Sequence, residues 1–435
     1  MYNNRMKIAI TADCHLNRQV YKNTLDKEFI TIPFRSADYI RSLKWIVDQC
    51  IEMKPDLFVI AGDIYDYYEP TNELRGILSF QLSRLAEAKI ATVLMTGNHD
   101  ICKKHHALKD LQELNLKSLK IVDKPYSMVF KKNLFLFFPY SLDIEQKNKT
   151  TKEEFTEFVN RVKANMPSDI EETFFFGHFA VKGAKLNTYK VLDEESMNDD
   201  DLDGLVTATT TTIVEKTKNY LNQNAHDITV SDLDSIGAKY VFLGDYHEHQ
   251  FLSTKKCYSM YCGSIEKSSF NEKEQDKGFV VYDSEVKEIE NYGKSRFVKY
   301  PNSRTMLEFK GNLKSIYAAI NEIDASKYQG SIVKVYCVGS DEELMEFSVG
   351  LKELLKTVDN KFSPVYKLYG QKLIGSVGVS LADVLEQKVM DQGHIGNDDV
   401  IKVVEEMIKE RFTNEKECKR ALDLAHEIYQ SIGQK

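Results

Sequence analysis

Residues 56–63 run DLFVIAGD: five apolar residues, Leu57 to Ala61, then at once Gly62 and Asp63. An unbroken apolar run of that length, closed by glycine and a carboxylate, predicts a buried strand that ends in a polar loop. The pattern recurs in MKIAITAD (6–13), KIATVLMTGNHD (89–100), NLFLFFPY (133–140), ETFFFGH (172–178) and KYVFLGDYH (239–247). Between the first strands, SADYIRSLKWIVDQCIEM (36–53) places Ile40, Leu43, Ile46, Val47, Cys50 and Ile51 at helical spacing, and residues 72–88 suggest a second helix. Strands alternating with helices predict an α/β domain with a buried sheet. In such sheets ligands bind beyond the carboxyl ends of the strands, and those ends are where the Asp, Asn and His residues fall.

At 435 residues the chain has room for two or three domains. Its net charge of −8 gives no global support for binding nucleic acid, although a metal site built of carboxylates makes a chain look more acidic than its loaded form. The seven cysteines are scattered and contain no CxxC, which favours reduced thiols over a structural zinc cluster. No apolar run approaches the ~20 residues of a membrane span. The opening MYNNRMKIAITAD lacks signal-peptide organisation, so a cytoplasmic protein without membrane attachment is expected.

Residues 182–235 interrupt the pattern with an acidic run, DEESMNDDDLD, and a threonine-rich patch, VTATTTTIV. A solvated insertion is the plain reading; a lid over the site is the sharper one. From about residue 296 the texture becomes that of a small α+β unit: TMLEFKGNLKSIYAAINEI, then SIVKVYCVGS. A helical tail follows Gly375 and Gly378, with Ser380 as a plausible N-cap. The expected organisation is therefore 1–295, 296–375 and 376–435. The two amphipathic tail helices either pack back on the body or dock on a partner.

Five strand ends carry ligand-type residues: Asp13–Cys14–His15, Gly62–Asp63–Ile64–Tyr65–Asp66, Gly97–Asn98–His99–Asp100, Gly177–His178 and Gly244–Asp245–Tyr246–His247. One alone is weak, since a lone His after a strand is commonly a satisfied polar residue. Together and in this order they resemble the calcineurin-like metallophosphoesterases, whose signature is DxH … GDxxD … GNHD/E … GH … GHxH. TADCHLN, GDIYDYYEPTNE, HFAVKGA and YCGSIEKSSFNEKEQDKGFVVYD narrow the resemblance to the nuclease subunit of bacterial SbcCD and its archaeal, eukaryotic and phage relatives. The run Gly263, Ser264, Glu266, Phe270, Glu272, Lys277, Gly278, Phe279 is its most distinctive part, and residues 6–283 are covered well.

The resemblance implies a four-layer α/β/β/α sandwich holding two divalent ions. Hydrolysis of a phosphodiester needs a nucleophile from water and stabilisation of phosphoryl charge, which two ions ~3.5–4 Å apart supply. Carboxylate and imidazole ligands suit Mn²⁺ first, with Mg²⁺, Fe²⁺ or Zn²⁺ as alternatives. By resemblance Asp13, His15 and His247 hold one ion, Asn98, His178 and position 245 the other, and Asp63 bridges them. His99 is expected to stabilise or protonate the leaving 3′ oxygen, with Asp100 holding its ring and Asp66 supporting the Asp63 loop. Cys14 is expected in the core. Relatives usually have Gly-His-x-His where this chain has Gly244-Asp245-Tyr246-His247. Asp245 with His247 is one register and His247 with His249 the other. A carboxylate at 245 adds negative charge and favours Mn²⁺ or Mg²⁺.

Lys103, Lys104 and His105, with His106 beside them, follow the third ligand loop, and Lys182 and Lys185 the fourth. They are either DNA phosphate contacts or solvated surface. The function expected is a DNA nuclease, a 3′→5′ exonuclease on duplex and an endonuclease on single strands and hairpins, serving DNA repair, recombination or replication in a bacterial or phage setting. Since no GxxxxGK[ST] occurs in the chain, the resemblance implies an SbcC-like coiled-coil ABC-type ATPase as partner, and a homodimer within a heterotetramer. An apolar helix pair within 72–120 would be the dimer contact. The alternatives are a small-molecule phosphodiesterase or phosphomonoesterase of the same fold, and a non-catalytic scaffold.

Overall fold

A computed structural model describes residues 5–18, 25–102, 105–184 and 228–373. Lys103, Lys104, Lys185, most of the expected insertion and the expected tail lie outside the described residues.

Two six-stranded sheets form the body. In the first, β1 (Lys7–Thr11), β2 (Leu57–Ala61), β3 (Ala91–Met95) and β6 (Leu119–Val122) run parallel, and β15 (Gly278–Asp283) and β16 (Ser295–Lys299) extend the β1 side antiparallel. In the second, β8 (Asn133–Phe138), β9 (Glu172–His178), β12 (Tyr240–Gly244) and β14 (Tyr258–Tyr261) run parallel, with β7 (Tyr126–Phe130) and β13 (Gln250–Phe251) as antiparallel edges. The helices are α1 (Phe34–Met53), α2 (Asn72–Glu87), α3 (Leu142–Glu145), α4 (Thr151–Ala164), α5 (Val230–Ser235), α6 (Leu313–Glu322) and α7 (Asp341–Phe362).

Side chains alternate between the two faces of a strand, and this sorts the apolar runs into three cores. Ile8, Ile10, Leu57, Val59, Val93 and Met95 meet Phe135, Phe137, Phe174, Phe176, Tyr240 and Phe242 between the sheets. Ala9, Phe58, Ile60 and Leu94 turn the other way, onto Ile40, Leu43, Ile46 and Val47 of α1 and Leu74, Leu78 and Leu82 of α2. Leu134, Leu136, Phe138, Phe175, Val241 and Leu243 pack on Phe155, Phe158, Val159 and Val162 of α4. The result is the α/β/β/α sandwich expected. Both faces of each central strand are buried, which is why their sequences are continuously apolar rather than alternating.

Helix ends carry local signals. Thr150 and Glu153 form a reciprocal capping box at the start of α4, and Thr229 and Asp232 do the same at α5. α1 ends where Lys54 takes the left-handed conformation and returns its N–H to the Cys50 carbonyl. β10 (Val181–Lys182) pairs in parallel with β11 (Ile228–Thr229), so the described flanks of the acidic segment lie side by side. β4 (Ile101–Cys102) and β5 (His105–His106) form a small antiparallel ladder behind the third ligand loop. Residues 72–120 hold one long helix, α2, and a six-residue 3₁₀ turn at Lys109–Leu114, instead of the expected helix pair. Residues 91–95 within that range are already committed to β3.

The chain divides into two compact units. The first comprises residues 1–308, 323–334 and 355–368; the second has α6, the first part of α7 and residues 369–435. Strands β17 (Met306–Gly311), β18 (Ile332–Gly339) and β19 (Tyr366–Leu373) form one sheet in that order. With α6 and α7 it accounts for the α+β texture expected after residue 296. No helix among the described residues is long and apolar enough to cross a membrane.

Candidate metal centre

The parallel strands β1, β2 and β3 of one sheet and β9 and β12 of the other all deliver their carboxyl ends to one place. The backbone there is unusual. Asp13, His15, Asp63 and Asp245 all have positive φ, at 52°, 37°, 50° and 96°. Such conformations cost non-glycine residues about 1–3 kcal/mol each and persist only where surrounding bonds enforce them. Here the β1 and β2 loops are laced together: Asp13 N–H donates to the Gly62 carbonyl at 3.1 Å and His15 N–H to the Asp63 carbonyl at 3.0 Å. Asp245 N–H in turn points at Asp13 Oδ1, 3.1 Å away.

Two glycines allow the side chains to converge. A Cβ on Gly97 would lie 2.1 Å from Asp63 Oδ1, and one on Gly62, whose φ is +91°, would lie 2.1 Å from His178 Nδ1. Neither position has room for any other residue.

Asp63 lies at the centre. Its Oδ1 is 3.4 Å from His178 Nε2 and its Oδ2 is 3.8 Å from His15 Nε2, so the two oxygens face opposite halves of the site. On one side His15 Nε2 and His247 Nε2 are 3.1 Å apart, and Asp13, His15 and His247 place ligand atoms within 4.8 Å of one another. On the other side His178 Nε2 is 3.1 Å from Asn98 Oδ1, and Asp13, Asp63 and His178 form a second such group. Asp245, half-buried, belongs to neither tight group; its N–H contacts Asp13, which is a member of both.

The imidazoles share one logic. His178 Nδ1–H donates to the Ala61 carbonyl at 2.8 Å, and His99 Nδ1–H to the Asp66 carbonyl at 2.9 Å. His15 Nδ1 lies 3.0 Å from Asp66 Oδ1, and His247 Nδ1 lies 2.9 Å from Glu272 Oε1. At His178 and His247 an outer acceptor on Nδ1 fixes the ring and presents Nε2 inward, the arrangement metal-ligating histidines require, whereas the His15 ring is held by its ion-pair approach to Asp66 without an aligned hydrogen bond.

Burial and neighbouring charges set the electrostatics of the cluster. Burial pushes the Asp13 carboxyl up to about 6, against the pull of His178 and His247. Burial likewise raises Asp245. Burial holds His15 down to about 4, whereas at His178 burial is outweighed by Asp63, Asp13 and Asp245 together, which lift the ring to about 10. His99 is raised despite its burial, by Asp63 and Asp66. Oxygen and imidazole donors that converge under such strain are chemically suited to hard or borderline divalent ions.

Some expectations change. Asp100 does not hold the His99 ring. Its carboxylate accepts N–H groups from Gly97, Ile64 and Tyr65 at 2.9, 3.1 and 2.9 Å, tying the second and third ligand loops together. Burial, with Asp63 adding to it, pushes that carboxyl up to about 7 against those three donors. Asp66 reaches His15 as well as bracing its loop, and Arg18 Nη1 secures it at 2.7 Å. His249 is turned away: its Nδ1–H donates to the Tyr261 carbonyl at 2.8 Å, Nε2 is 3.0 Å from the Tyr292 hydroxyl, and the ring stacks on Phe297 at 4.4 Å. The geometry therefore brings His247 into the cluster and leaves His249 out of it. His105 is exposed on β5, whereas His106 is buried 3.5 Å from Asp123; Lys182 is exposed on β10. Cys14 is fully buried.

Glu272 and Lys277 had no role assigned from sequence, although both lie in the distinctive 263–279 run. Lys277 Nζ, fully buried, reaches Glu272 Oε2 at 2.7 Å, the His247 carbonyl at 2.9 Å and Ser264 Oγ at 2.8 Å. Asn17 was also missed. Its Oδ1 accepts from Asp66 and Tyr67 N–H, fixing the loop that carries Asp66.

Comparison with known proteins agrees with the geometry. The calcineurin-like phosphoesterase family model matches residues 6–249. The chain is 26% identical to a subunit of the nuclease SbcCD from Staphylococcus epidermidis over 66% of its own length and 68% of that protein. It is 24% identical to the same SbcCD subunit from Staphylococcus saprophyticus over 71% and 72% of the two chains. A shorter match, 29% identical over 28% of this chain and 31% of the other, is to "DNA double-strand break repair protein Mre11" of Sulfurisphaera tokodaii. A family match over more than half of the chain, laid on a site with clustered Asp and His donors, places the chain in the calcineurin-like phosphoesterase family as a metal-dependent phosphodiesterase.

Proposed function

We propose that the chain is a two-metal DNA nuclease, and that the observation carrying this most directly is the division of Asp63, one oxygen towards His15 and the other towards His178. Asp13, His15 and His247 would hold one ion, Asn98, His178 and Asp245 the other, with Asp63 shared. When bound, a pair of divalent ions neutralises phosphoryl charge and makes water a competent nucleophile at neutral pH. The chain's own residues do the rest. The outer acceptors on Glu272 and Ala61 hold the His247 and His178 imidazoles in position, so little reorganisation is needed as charge develops. His99 stands at the rim, its side chain 22% exposed and its Nε2 4.0 Å from Asp63 Oδ2. With Nδ1–H held by the Asp66 carbonyl and the ring's basicity raised, Nε2 is the position from which a proton passes to the leaving oxygen.

The names of the relatives, a nuclease subunit and a double-strand break repair protein, support DNA as substrate. The test is cleavage of end-labelled single-stranded, duplex and hairpin oligonucleotides with Mn²⁺ or Mg²⁺, beside hydrolysis of a nitrophenyl phosphate ester. Metal-dependent cleavage lost in His99→Ala is expected; ester hydrolysis with intact oligonucleotides would establish a small-molecule phosphoesterase instead. We further propose an SbcC-like ATPase as partner, since the sequence contains no GxxxxGK[ST] motif and its relative is by name one subunit of a nuclease. Deleting residues 380–435 is expected to abolish co-purification with that ATPase, and persistent co-purification would remove the tail as the main contact.

A further inference from the structure

His15, Asp66 and His99, from the loops after β1, β2 and β3, form a third group whose ligand-type atoms lie within 4.8 Å of one another, beside the two groups that contain Asp13. Two imidazoles and a carboxylate are a donor set suited to Zn²⁺ with one position left open. His15, 1% exposed, points Nδ1 at Asp66 Oδ1 from 3.0 Å, and that nitrogen is buried without a hydrogen-bond partner. An ion held here would work against the centre around Asp63. A neutral imidazole has one lone pair, so His15 serves one side or the other. His99 gives its Nδ1–H to the Asp66 carbonyl, so as a ligand it would carry a metal on Nε2 where it must carry a proton.

A cation is already built into this group. Arg18 Nη1 lies 2.7 Å from Asp66 Oδ1, the same oxygen that faces His15, and both side chains are only 4% exposed. Burial would raise the Asp66 carboxyl, but Arg18 and His15 hold it well below the usual carboxylate range. At His99 the guanidinium acts with burial against the pull of Asp63 and Asp66. The Arg18 backbone is pinned on both sides: its N–H donates to the His15 carbonyl at 3.0 Å, and its carbonyl accepts from Ser36 Oγ at 2.7 Å. A second positive charge so close to a guanidinium is strongly repelled where the dielectric is low. Arginine does not relieve that repulsion by losing a proton, because it stays charged at any working pH.

We propose that Arg18 is a fixed counter-cation that excludes a divalent ion, Zn²⁺ above all, from the His15–Asp66–His99 group. His15 is thereby kept for the centre around Asp63, and His99 is kept free to hold a proton. This rests on the two-metal reading of the site.

The test follows Zn²⁺ binding to the full chain, stripped of metal beforehand, by competition with a chromophoric chelator. In the unmodified chain His99→Ala is expected to leave Zn²⁺ affinity unchanged, since His99 is no ligand there. In Arg18→Met, which keeps the bulk and removes the charge, the same His99→Ala change is expected to weaken Zn²⁺ at least about tenfold, the low end for loss of even an outer-shell partner. Arg18→Lys should behave like the unmodified chain. Arg18 Nη1 alone bonds Asp66 and Nε is buried without a partner, so no two-pronged contact is lost to a single ammonium. An Arg18→Met chain whose Zn²⁺ affinity ignores His99→Ala overturns the exclusion. So does an anomalous-scattering peak among His15, Asp66 and His99 in zinc-soaked crystals of the unmodified chain, a measurement that needs no variant. Neither readout involves cleavage: an unmodified chain that binds two ions and leaves every oligonucleotide intact defeats the nuclease reading and not the exclusion.

Discussion

Glu272 is a buried carboxylate set among Ser268, His247 and Lys277. It accepts from Ser268 N–H at 2.9 Å, faces His247 Nδ1 at 2.9 Å and neutralises Lys277 at 2.7 Å, with both members of the ion pair buried. Burial alone would raise its carboxyl, but Lys277 and His247 hold it well below the usual carboxylate range. Glu272→Gln keeps the shape and removes the charge. Breaking a buried pair from one side costs about 3–5 kcal/mol, and loss of an outer-shell acceptor typically weakens metal binding 10–100-fold. Both effects are expected, the first in denaturant unfolding of the metal-free protein and the second in Mn²⁺ titration. Unaltered Mn²⁺ affinity would show that the contact to His247 does no positioning. Asp245 offers a complementary test. Asp245→Ala should reduce the bound metal from two ions to one per chain, while Asp245→His should retain two and shift preference away from Mn²⁺ and Mg²⁺ towards softer ions. Two ions on purified Asp245→Ala would remove that residue from the ligand set.

Loops and strands divide the labour differently. The third ligand loop depends on Gly97, where a Cβ would lie 2.1 Å from Asp63 Oδ1 and 2.3 Å from the Asp63 nitrogen. One of those atoms is backbone, so Gly97→Ala must displace the loop and is expected to abolish metal binding. Thr150→Ala, at the capping box of α4, should instead cost about 1 kcal/mol of stability with metal binding intact. Equal loss of metal in the two variants, followed by titration, would mean that the site simply reports global stability. The contrast also shows what a sequence makes legible. Strands such as Leu57–Ala61 and Tyr240–Gly244 were plain because burial on both faces forces continuous apolar runs, and the donors were plain because they stand at the ends of those runs, Asp63, Asn98, His178 and Asp245 directly after a glycine. Contacts made across the fold were not. Asp66 to His15 spans loops from two strands, and Glu272 to His247 joins residues 25 apart. The turning away of His249 depends on Tyr292 and Phe297, more than 40 residues downstream. Asp100 was misplaced for the same reason: adjacency to His99 suggested a partner, whereas its carboxylate satisfies three N–H groups on two loops.

At the scale of the molecule, the two sheets meet twice. Between them lies an apolar layer, where the second sheet turns a row of stacked rings, Phe135 on Phe174 at 5.3 Å and Phe176 on Phe242 at 5.7 Å, onto Ile8, Ile10, Leu57 and Val59 of the first. At its rim, donors from one sheet, Asp13, His15, Asp63 and Asn98, face His178, Asp245 and His247 from the other. The aromatic layer stabilises the sandwich whether or not ions are present. The rim has hydrogen bonds of its own across the sheets, such as His178 Nδ1–H to the Ala61 carbonyl, and cations would add to them by offsetting the buried carboxylates. Metal binding should therefore act as a fastener between the sheets, and ligand linkage sets its size: about 2.7 kcal/mol when free ion is 100-fold above its dissociation constant. Calorimetry in saturating Mn²⁺ against chelator should show a rise in Tm of several degrees, reversed on chelation. Asp63→Asn, which removes the shared charge and leaves the aromatic layer untouched, should abolish most of the rise. If Asp63→Asn gains as much stability from Mn²⁺ as the unmodified chain does, the ions that stabilise the protein sit elsewhere, and the rim is not what joins the sheets.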